Sequence, residues 1–397
     1  MFSEKAYKNA EACRFCWMCR HLCPVQLVTG KETNTPRAKG LLVSMMKRGM
    51  PMEADSARTM YECLLCGACT NDCATGFDPL VFIREGRTQA YVNDVVPTCV
   101  EKVVQRIEET GNCYGATQCQ VHLDGVPEQG ELLVWLGETA RYSVPETAQA
   151  LLRILDKAHQ PYAVLKNEPA SGSALGDLMG FVEDVRMQAK KAGQAIAASG
   201  AKTVVVLDSY DAALFCHEYK DWGIEMPAVI TATAFVDELI AAGRLIPRKG
   251  EGVVTYHDAS RLARDLNEHQ PARNIIASMG LTLHEMWQNR RLAKCCGSAV
   301  VGQYMPELRA KVAQGRWSDV LRTDARVLVA ACPQSTEALA AVVPQGCQYQ
   351  DLFVLLIFEH NGTLTAREGT LLALCLSQEE CDENSGTGAP DQCGPKR

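Results

Sequence analysis

At 397 residues, with 47% apolar and 22% charged residues and a formal charge of −7, the chain has the make-up of a globular protein of two or three domains. It contains no run of about 18 uninterrupted apolar residues, so no transmembrane segment is expected. The acidic balance lacks the concentrated Lys and Arg of a phosphate-binding surface, which excludes nucleic acid as an expected partner. The opening "MFSEKAYKNAEAC" has neither a basic n-region nor an apolar h-region, and the expectation is a cytoplasmic protein that meets a membrane only through a partner.

Nineteen cysteines in a reducing compartment do not form a disulfide framework, which leaves metal as the bulk explanation. They are unevenly spread: eight within residues 13–73, three at 295, 296 and 332, three in the C-terminal tail and five scattered. The first stretch, "CRFCWMCRHLCP", reads C-x2-C-x2-C-x3-C-P over Cys13, Cys16, Cys19, Cys23 and Pro24. About forty residues later "CLLCGACTNDCA" repeats the spacing with Cys63, Cys66, Cys69 and Cys73.

In tandem arrays of this kind three thiolates of one run hold a [4Fe-4S] cube and the fourth crosses to the other cube. The expected ligand sets are therefore Cys13, Cys16, Cys19 and Cys73 for one cluster, and Cys63, Cys66, Cys69 and Cys23 for the second. Zinc takes two separated C-x2-C pairs and would leave the third cysteine of each run unused. Helices are predicted beside each run, over 35–49 from a Thr start and a first-turn Pro, and over 78–92 by the same signals. Arg14, Arg20 and Lys31 are candidates to offset the negative charge of the thiolate-bound cubes, or plain solvated charges.

From residue 131 the texture becomes α/β. Strand-length apolar runs at 131–137, 202–209, 252–258, 281–287 and 325–333 alternate with helical stretches such as 145–160, which implies parallel βαβ units. The two series read as copies. Cys295, Cys296, Gly297 and Cys332 in the later copy match Ala170, Ser171, Gly172 and Asp208 in the earlier one. The five scattered cysteines, 99, 113, 119, 216 and 347, lack ligand spacing and read as core or surface thiols.

Up to about residue 358 the chain resembles a family of iron-sulfur electron-transfer subunits that join a two-[4Fe-4S] ferredoxin domain to CCG (cysteine-rich) domains. That family includes the D and B type subunits of heterodisulfide reductase, the iron-sulfur subunit of glycolate oxidase, the C-type subunit of anaerobic glycerol-3-phosphate dehydrogenase and lactate-utilisation iron-sulfur proteins. The residues that carry the likeness are the double cysteine run, "VTYHDAS", "CCG" and "ACPQS". The resemblance also exposes departures. Ser260 and Ser335 stand where the full CCG motif has cysteines, and Glu138 and Asp211 take those positions in the earlier copy.

The expected fold class is α+β and multidomain: a helical two-[4Fe-4S] ferredoxin-like domain at 1–98, a linker at 99–130, a first CCG-like repeat without its cysteines at 131–250, a second at 251–360, and a disordered tail at 361–397. Cys295, Cys296 and Cys332 are candidate ligands of a third cluster, with His257, Ser260 or an outside group as the fourth; the alternative is three buried apolar-like thiols. Glu138, Asp208 and Asp211 read either as cap and loop carboxylates or as a polar replacement site.

No G-x-G-x-x-G follows a strand, so FAD is expected on a separate flavoprotein dehydrogenase subunit. The resemblance implies a 2-hydroxy acid or polyol phosphate as that subunit's substrate, with a quinone, a thiol-disulfide or a redox protein as acceptor. The competing reading is a disulfide-reductase-like subunit acting on substrate at Cys295, Cys296 and Cys332.

Overall fold

The computed structural model of the chain describes residues 2–356. The tail 361–397, with Cys375, Cys381 and Cys393, lies outside the described residues.

The N-terminal region is helical. Both helices expected beside the cysteine runs form, at Pro36–Lys47 and Pro79–Val92. Each starts where its capping residue dictates: the Thr35 hydroxyl accepts from the Ala38 N–H at 3.1 Å, the Asp78 carboxylate accepts from the Leu80 N–H at 3.1 Å, and a proline fills the first turn. With Glu4–Glu11 they enclose a core of Phe2, Tyr7, Val43, Met60, Phe77, Phe82 and Ile83. A fully buried side chain of this size contributes about 1.5–3 kcal/mol, enough to hold the cysteine loops on a rigid base.

The stretch 99–130 differs from the expected linker. It opens inside a thirteen-residue helix, Thr98–Thr110, whose Val100, Val103, Val104 and Ile107 form one buried stripe at helical spacing. That stripe packs with Tyr61 and Leu64 of the N-terminal region, Leu175 and Leu178 of the first repeat, and Val301 and Tyr304 of the second. Tyr304 donates to the Tyr61 carbonyl at 3.0 Å and Tyr61 donates to the Leu178 carbonyl at 2.9 Å. The N-terminal region is therefore fastened to both repeats.

The repeats are two parallel sheets. In the first, β1 (Leu132–Trp135), β2 (Thr203–Val206) and β3 (Ala228–Thr231) lie in that order, with Val134 beside Val205 and Val205 beside Ile230. In the second, β4 (Val253–Tyr256), β5 (Thr282–Leu283), β6 (Val327–Ala330) and β7 (Gln348–Asp351) are arranged β5-β4-β6-β7. β1 and β6 are buried along their whole length, as their unbroken apolar runs require when helices cover both faces. A single core joins the sheets, with Val134 and Val205 on one side, Tyr256 and Val329 on the other, and Leu151, Leu155 and Ile276 between. The apolar end of the second repeat enters helix Leu352–Leu355.

In the two repeats four chemistry-bearing loops stand at the carboxyl end of a strand, where parallel sheets place ligands. β1 runs into Glu138, β2 into Asp208, β4 into His257 to Ser260, and β6 into Cys332. The copies match in backbone as well as in order. Asp208 and Cys332 each precede a helix, Ser209–Cys216 and Pro333–Ala340, and Gly172 and Gly297 both take left-handed φ, +91° and +120°, one step before a helix region.

Candidate functional site

The two N-terminal knuckles have the same backbone. Phe15 and Trp17 have φ of 55° and 67°, and Leu65 and Gly67, at the matching places, have 49° and 72°. This curl turns the Phe15 N–H onto the Cys13 sulfur and the Leu65 N–H onto the Cys63 sulfur, both at 3.4 Å. The loops present thiols inward and aim backbone donors at them, as a thiolate-bound cluster needs.

Cys23 lies with cysteines of the second run, and Cys73 faces the first. Cys23, Cys63, Cys66 and Cys69 together line a cavity of about 430 Å³. Cys73 turns the other way: its sulfur lies 3.3 Å from the Thr75 hydroxyl, which donates to the Ala12 carbonyl at 3.1 Å, and Cys13 and Cys73 border one apolar core. Cys19 lies among Cys13, Cys16 and Cys23. Burial pushes the Cys19 thiol up to about 11 and the Cys23 thiol up to about 12, so thiolates here need bound positive charge to persist. Among the described residues no three His, Cys, Asp or Glu side chains converge on a single ion. The third cysteine of each run is surplus to the two C-x2-C pairs that zinc takes and suits a cube.

Sequence reasoning missed the cations that serve this cavity. Lys39, buried in helix Pro36–Lys47, lines it and donates to the Asn34 carbonyl at 3.2 Å. Arg87 is also buried and donates to the Cys63 carbonyl at 2.6 Å. By contrast Arg14, with Arg20 and Lys31, lies at the surface, donating to the Glu11 and Ala12 carbonyls. A cation inside a helix carries no local signature, so only its tertiary neighbours could reveal it.

The second site is a cavity of about 410 Å³ lined by Cys295, Cys296, Cys332, Ser260, Ser335, Ser209, Gln334 and Arg261, among others. All three cysteines are buried. The Gly297 N–H reaches the Cys295 sulfur at 3.4 Å, Cys296 meets the Ser335 hydroxyl at 3.5 Å, and Cys332 meets the Ser209 hydroxyl at 3.0 Å. Burial, then the nearby Asp208, pushes the Cys332 thiol up to about 11, while the contact with Cys295 holds Cys296 below its ordinary value. The Ser260 Oγ is buried against the Cys295 sulfur, and both line the cavity. His257 does not line this cavity. It is fully buried, Arg316 donates to its Nδ1 at 3.2 Å, and burial with the Arg316 charge lowers its pKa to about 3, which keeps the ring neutral.

The two cavities share a wall. Cys66 lines both, and its sulfur lies against that of Cys295. Arg264 clamps the junction by donating to the Cys66 carbonyl and the Ala293 carbonyl, each at 2.7 Å.

In the first repeat the matching loops converge on carboxylates. Asp211 accepts from the Trp135 indole at 2.8 Å and from Ser171 at 2.6 Å; Asp208 caps its helix and accepts from Gln334 at 3.1 Å; Glu138 accepts from the Cys113 N–H at 3.0 Å. Asp208 is thus a cap residue, as one reading expected, whereas Asp211 lies inside the same helix and is held by the Trp135 and Ser171 side chains. Of the scattered cysteines, Cys113 is buried, Cys119 and Cys347 are half-buried, and Cys99 and Cys216 are exposed.

Residues 9–77 match the family of 4Fe-4S dicluster domains, and residues 254–336 match the family of cysteine-rich domains. The chain is an iron-sulfur protein that joins a 4Fe-4S dicluster domain to a cysteine-rich domain. The dicluster domain implies two [4Fe-4S] clusters, and the cysteine-rich domain suggests a further one. A probable membrane-anchored ferredoxin of Chromohalobacter salexigens is 26% identical over 72% of the chain, which spans about half of that relative's length (46%). The D subunit of the dihydromethanophenazine:CoB–CoM heterodisulfide reductase of Methanosarcina acetivorans is 27% identical, with 81% of this chain and 86% of the relative covered. An EtfAB:quinone oxidoreductase of Syntrophomonas wolfei is 22% identical over 66% of the chain and 39% of its own length. The crystal structure of a hypothetical protein from Helicobacter pylori superposes with a TM-score of 0.54 at 11% identity, covering 91% of this chain and 74% of that one, a likeness of fold alone. Among the described residues no helix of this iron-sulfur protein is long and apolar enough to cross a membrane.

Proposed function

We propose that this iron-sulfur protein relays single electrons from a flavoprotein dehydrogenase subunit, through the two N-terminal sites, to the cysteine-rich site. The carrying observation is the wall shared by the two cavities, where Cys66 of one abuts Cys295 of the other. Bound iron-sulfur clusters supply reversible one-electron chemistry whose potential follows their surroundings. The chain's own work is then positional. Cys13, Cys16, Cys19 and Cys73 hold one group; Cys63, Cys66, Cys69 and Cys23 hold the next; Lys39 and Arg87 supply buried positive charge beside it, and Arg264 fixes the junction.

The third group sits on Cys295, Cys296 and Cys332, with the Ser260 hydroxyl, which lies against Cys295, as the fourth donor or as the neighbour of an open position. The flavin and the substrate, a 2-hydroxy acid or a polyol phosphate, belong to the partner. The acceptor is a quinone, a thiol-disulfide or another redox protein, and the assembly works on the cytoplasmic side, reaching a membrane through a partner.

Iron and sulfide analysis of anaerobically purified protein tests this reading: about twelve irons per chain are expected, falling to about eight in Cys295→Ser. Unchanged iron and an unchanged electronic spectrum in that variant would remove the third group. A second reading, direct reduction of a disulfide at the same site, is favoured by the 410 Å³ cavity beside the three thiols. A native chain that purifies without a flavoprotein yet reduces disulfides would establish it.

A further inference from the structure

The two knuckles share a backbone but differ in what they show to solvent. In the second, Leu65 is 0% exposed and the left-handed position is Gly67, the residue that adopts it without steric penalty. In the first, the same two positions hold Phe15, 55% exposed, and Trp17, 41% exposed, followed by Met18 at 56%. Trp17 therefore keeps a left-handed backbone that disfavours it and presents apolar surface to water. The side chains are ordered nonetheless, because the Arg37 guanidinium stacks 3.8 Å from the Trp17 ring and 4.9 Å from the Phe15 ring, and Arg20 lies 5.9 Å from Trp17.

The patch is also a local reversal of charge. Residues 13–31 hold Arg14, Arg20 and Lys31 and no Asp or Glu, in a chain of net −7. The nearby carboxylates are engaged, Glu32 by Arg37 at 3.4 Å and Glu11 by Lys47 at 3.1 Å. Cys16, between the two aromatic residues, is exposed. A rigid Trp-Arg-Phe centre with a cationic rim has the anatomy of a protein-binding hot spot, and it surrounds the most accessible ligand position.

We propose that the Phe15, Trp17 and Met18 face is the docking site of the electron-donating flavoprotein, and that this partner meets it with an acidic rim around an apolar centre. The proposal rests on the relay reading and names where the relay begins. At each encounter one electron leaves the partner's reduced flavin, which is oxidised, and reduces this chain; the flavin's proton passes to water and no covalent bond forms or breaks.

Fully reduced flavodoxin, a small acidic flavoprotein, serves as the probe, with the cluster-loaded full chain in anaerobic stopped flow. The second-order rate constant is expected to fall about tenfold in Trp17→Gly and in Arg20→Glu, and its dependence on salt to shrink in Arg20→Glu. Ile246→Ser, which removes an exposed apolar residue of the first repeat, is expected to react as wild type. Iron content is measured for every variant; should Trp17→Gly lose iron, Arg20→Glu, outside the C-x2-C-x2-C loop, carries the test.

Equal rates for wild type and both patch variants would overturn the proposal, as would an equal loss in Ile246→Ser. Binding to phosphatidylserine vesicles that Trp17→Gly abolishes, with flavodoxin rates unchanged, would overturn it in favour of a lipid-facing patch. Dithionite separates this from the relay itself because it needs no docking face. Wild type reduced by dithionite but by flavodoxin at no ionic strength loses the docking site and keeps the relay, whereas protein without clusters that dithionite reduces loses the relay.

Discussion

After β2 of the first repeat stands Asp208, and after β6 of the second stands Cys332; Ser171 meets Asp211 in one, and Cys296 meets Ser335 in the other. The loops are the same and their contents are opposite in character. The carboxylates are closed by protein donors, with Trp135 and Ser171 on Asp211 and Gln334 on Asp208. The thiols and the Ser260 hydroxyl line a cavity. A site whose donors are all satisfied within the protein is structural, and one that leaves donors facing a void has something to bind. The repeats also touch through these groups, since Ser209 of the first contacts Cys332 of the second. The first repeat acts as a wall of the second repeat's site.

The largest expected effect tests that contrast directly. Asp211→Ala strands the buried Trp135 N–H at a cost of about 1–3 kcal/mol, while the Ser171 hydroxyl keeps Ser173 Oγ as an acceptor. Ser335→Ala removes only a long contact to Cys296 and is expected to cost less than about 1 kcal/mol. Anaerobic guanidinium unfolding followed by tryptophan fluorescence compares the two. Equal losses would mean that the first-repeat cluster is not the tighter structural unit.

A second effect comes from pH. Burial raises Glu138 and Glu168 to about 7 each; Glu138 faces Cys113, Asp208 and Asp211, and Glu168 faces Arg141 and Asp211 while accepting from the Leu136 and Gly137 N–H groups at 2.8 Å. Both folded values lie above the ordinary carboxylate range, so the native state holds protons that the unfolded chain releases. Their contribution is complete below the unfolded value of about 4.3 and is lost as pH rises through 7. Each group can lower stability by at most about 1.4 kcal/mol per pH unit within that window. Unfolding curves between pH 5 and 8 should show the decline, and Glu138→Gln should flatten it; a stability that rises with pH over that range would contradict the assignment.

Much of this was legible because its signals are local. The Thr35 and Asp78 caps, the two knuckles and the four largely apolar strands β1, β2, β4 and β6 are all written within a few residues of where they act, whereas the run at 281–287 forms only the two-residue β5. The strands missed, β3 and β7, sit at sheet edges with half-exposed or polar faces, Ala228 to Ile230 in one and "QYQD" in the other. The helix Thr98–Thr110 was hidden because its apolar stripe answers to partners in three distant segments. Lys39, Arg87 and Arg264 look like surface cations in sequence, and the meeting of Cys66 with Cys295 is a property of the docked fold that spacing does not encode.

The smallest expected effect separates the two knuckles. Gly67 has φ of +72° and open space around a would-be Cβ, the nearest atom being Arg264 Nε at 3.9 Å. The penalty of Gly67→Ala is therefore conformational alone: about 1–2 kcal/mol for the left-handed backbone, offset by about 0.4–1 kcal/mol from a stiffer unfolded chain. The net loss is about 0.5–1 kcal/mol. Trp17→Gly runs the same exchange backwards and also gives up the Arg37 stacking, about 0.5–1 kcal/mol at an exposed site, so its stability should stay within about 1 kcal/mol of wild type. Loss of the visible iron-sulfur absorbance in guanidinium under argon measures both. If Trp17→Gly proves strongly destabilising, the tryptophan is needed for the fold, and its exposure no longer argues for a partner. If it is neutral while Gly67→Ala is not, the cost of Trp17 is borne for something outside the chain.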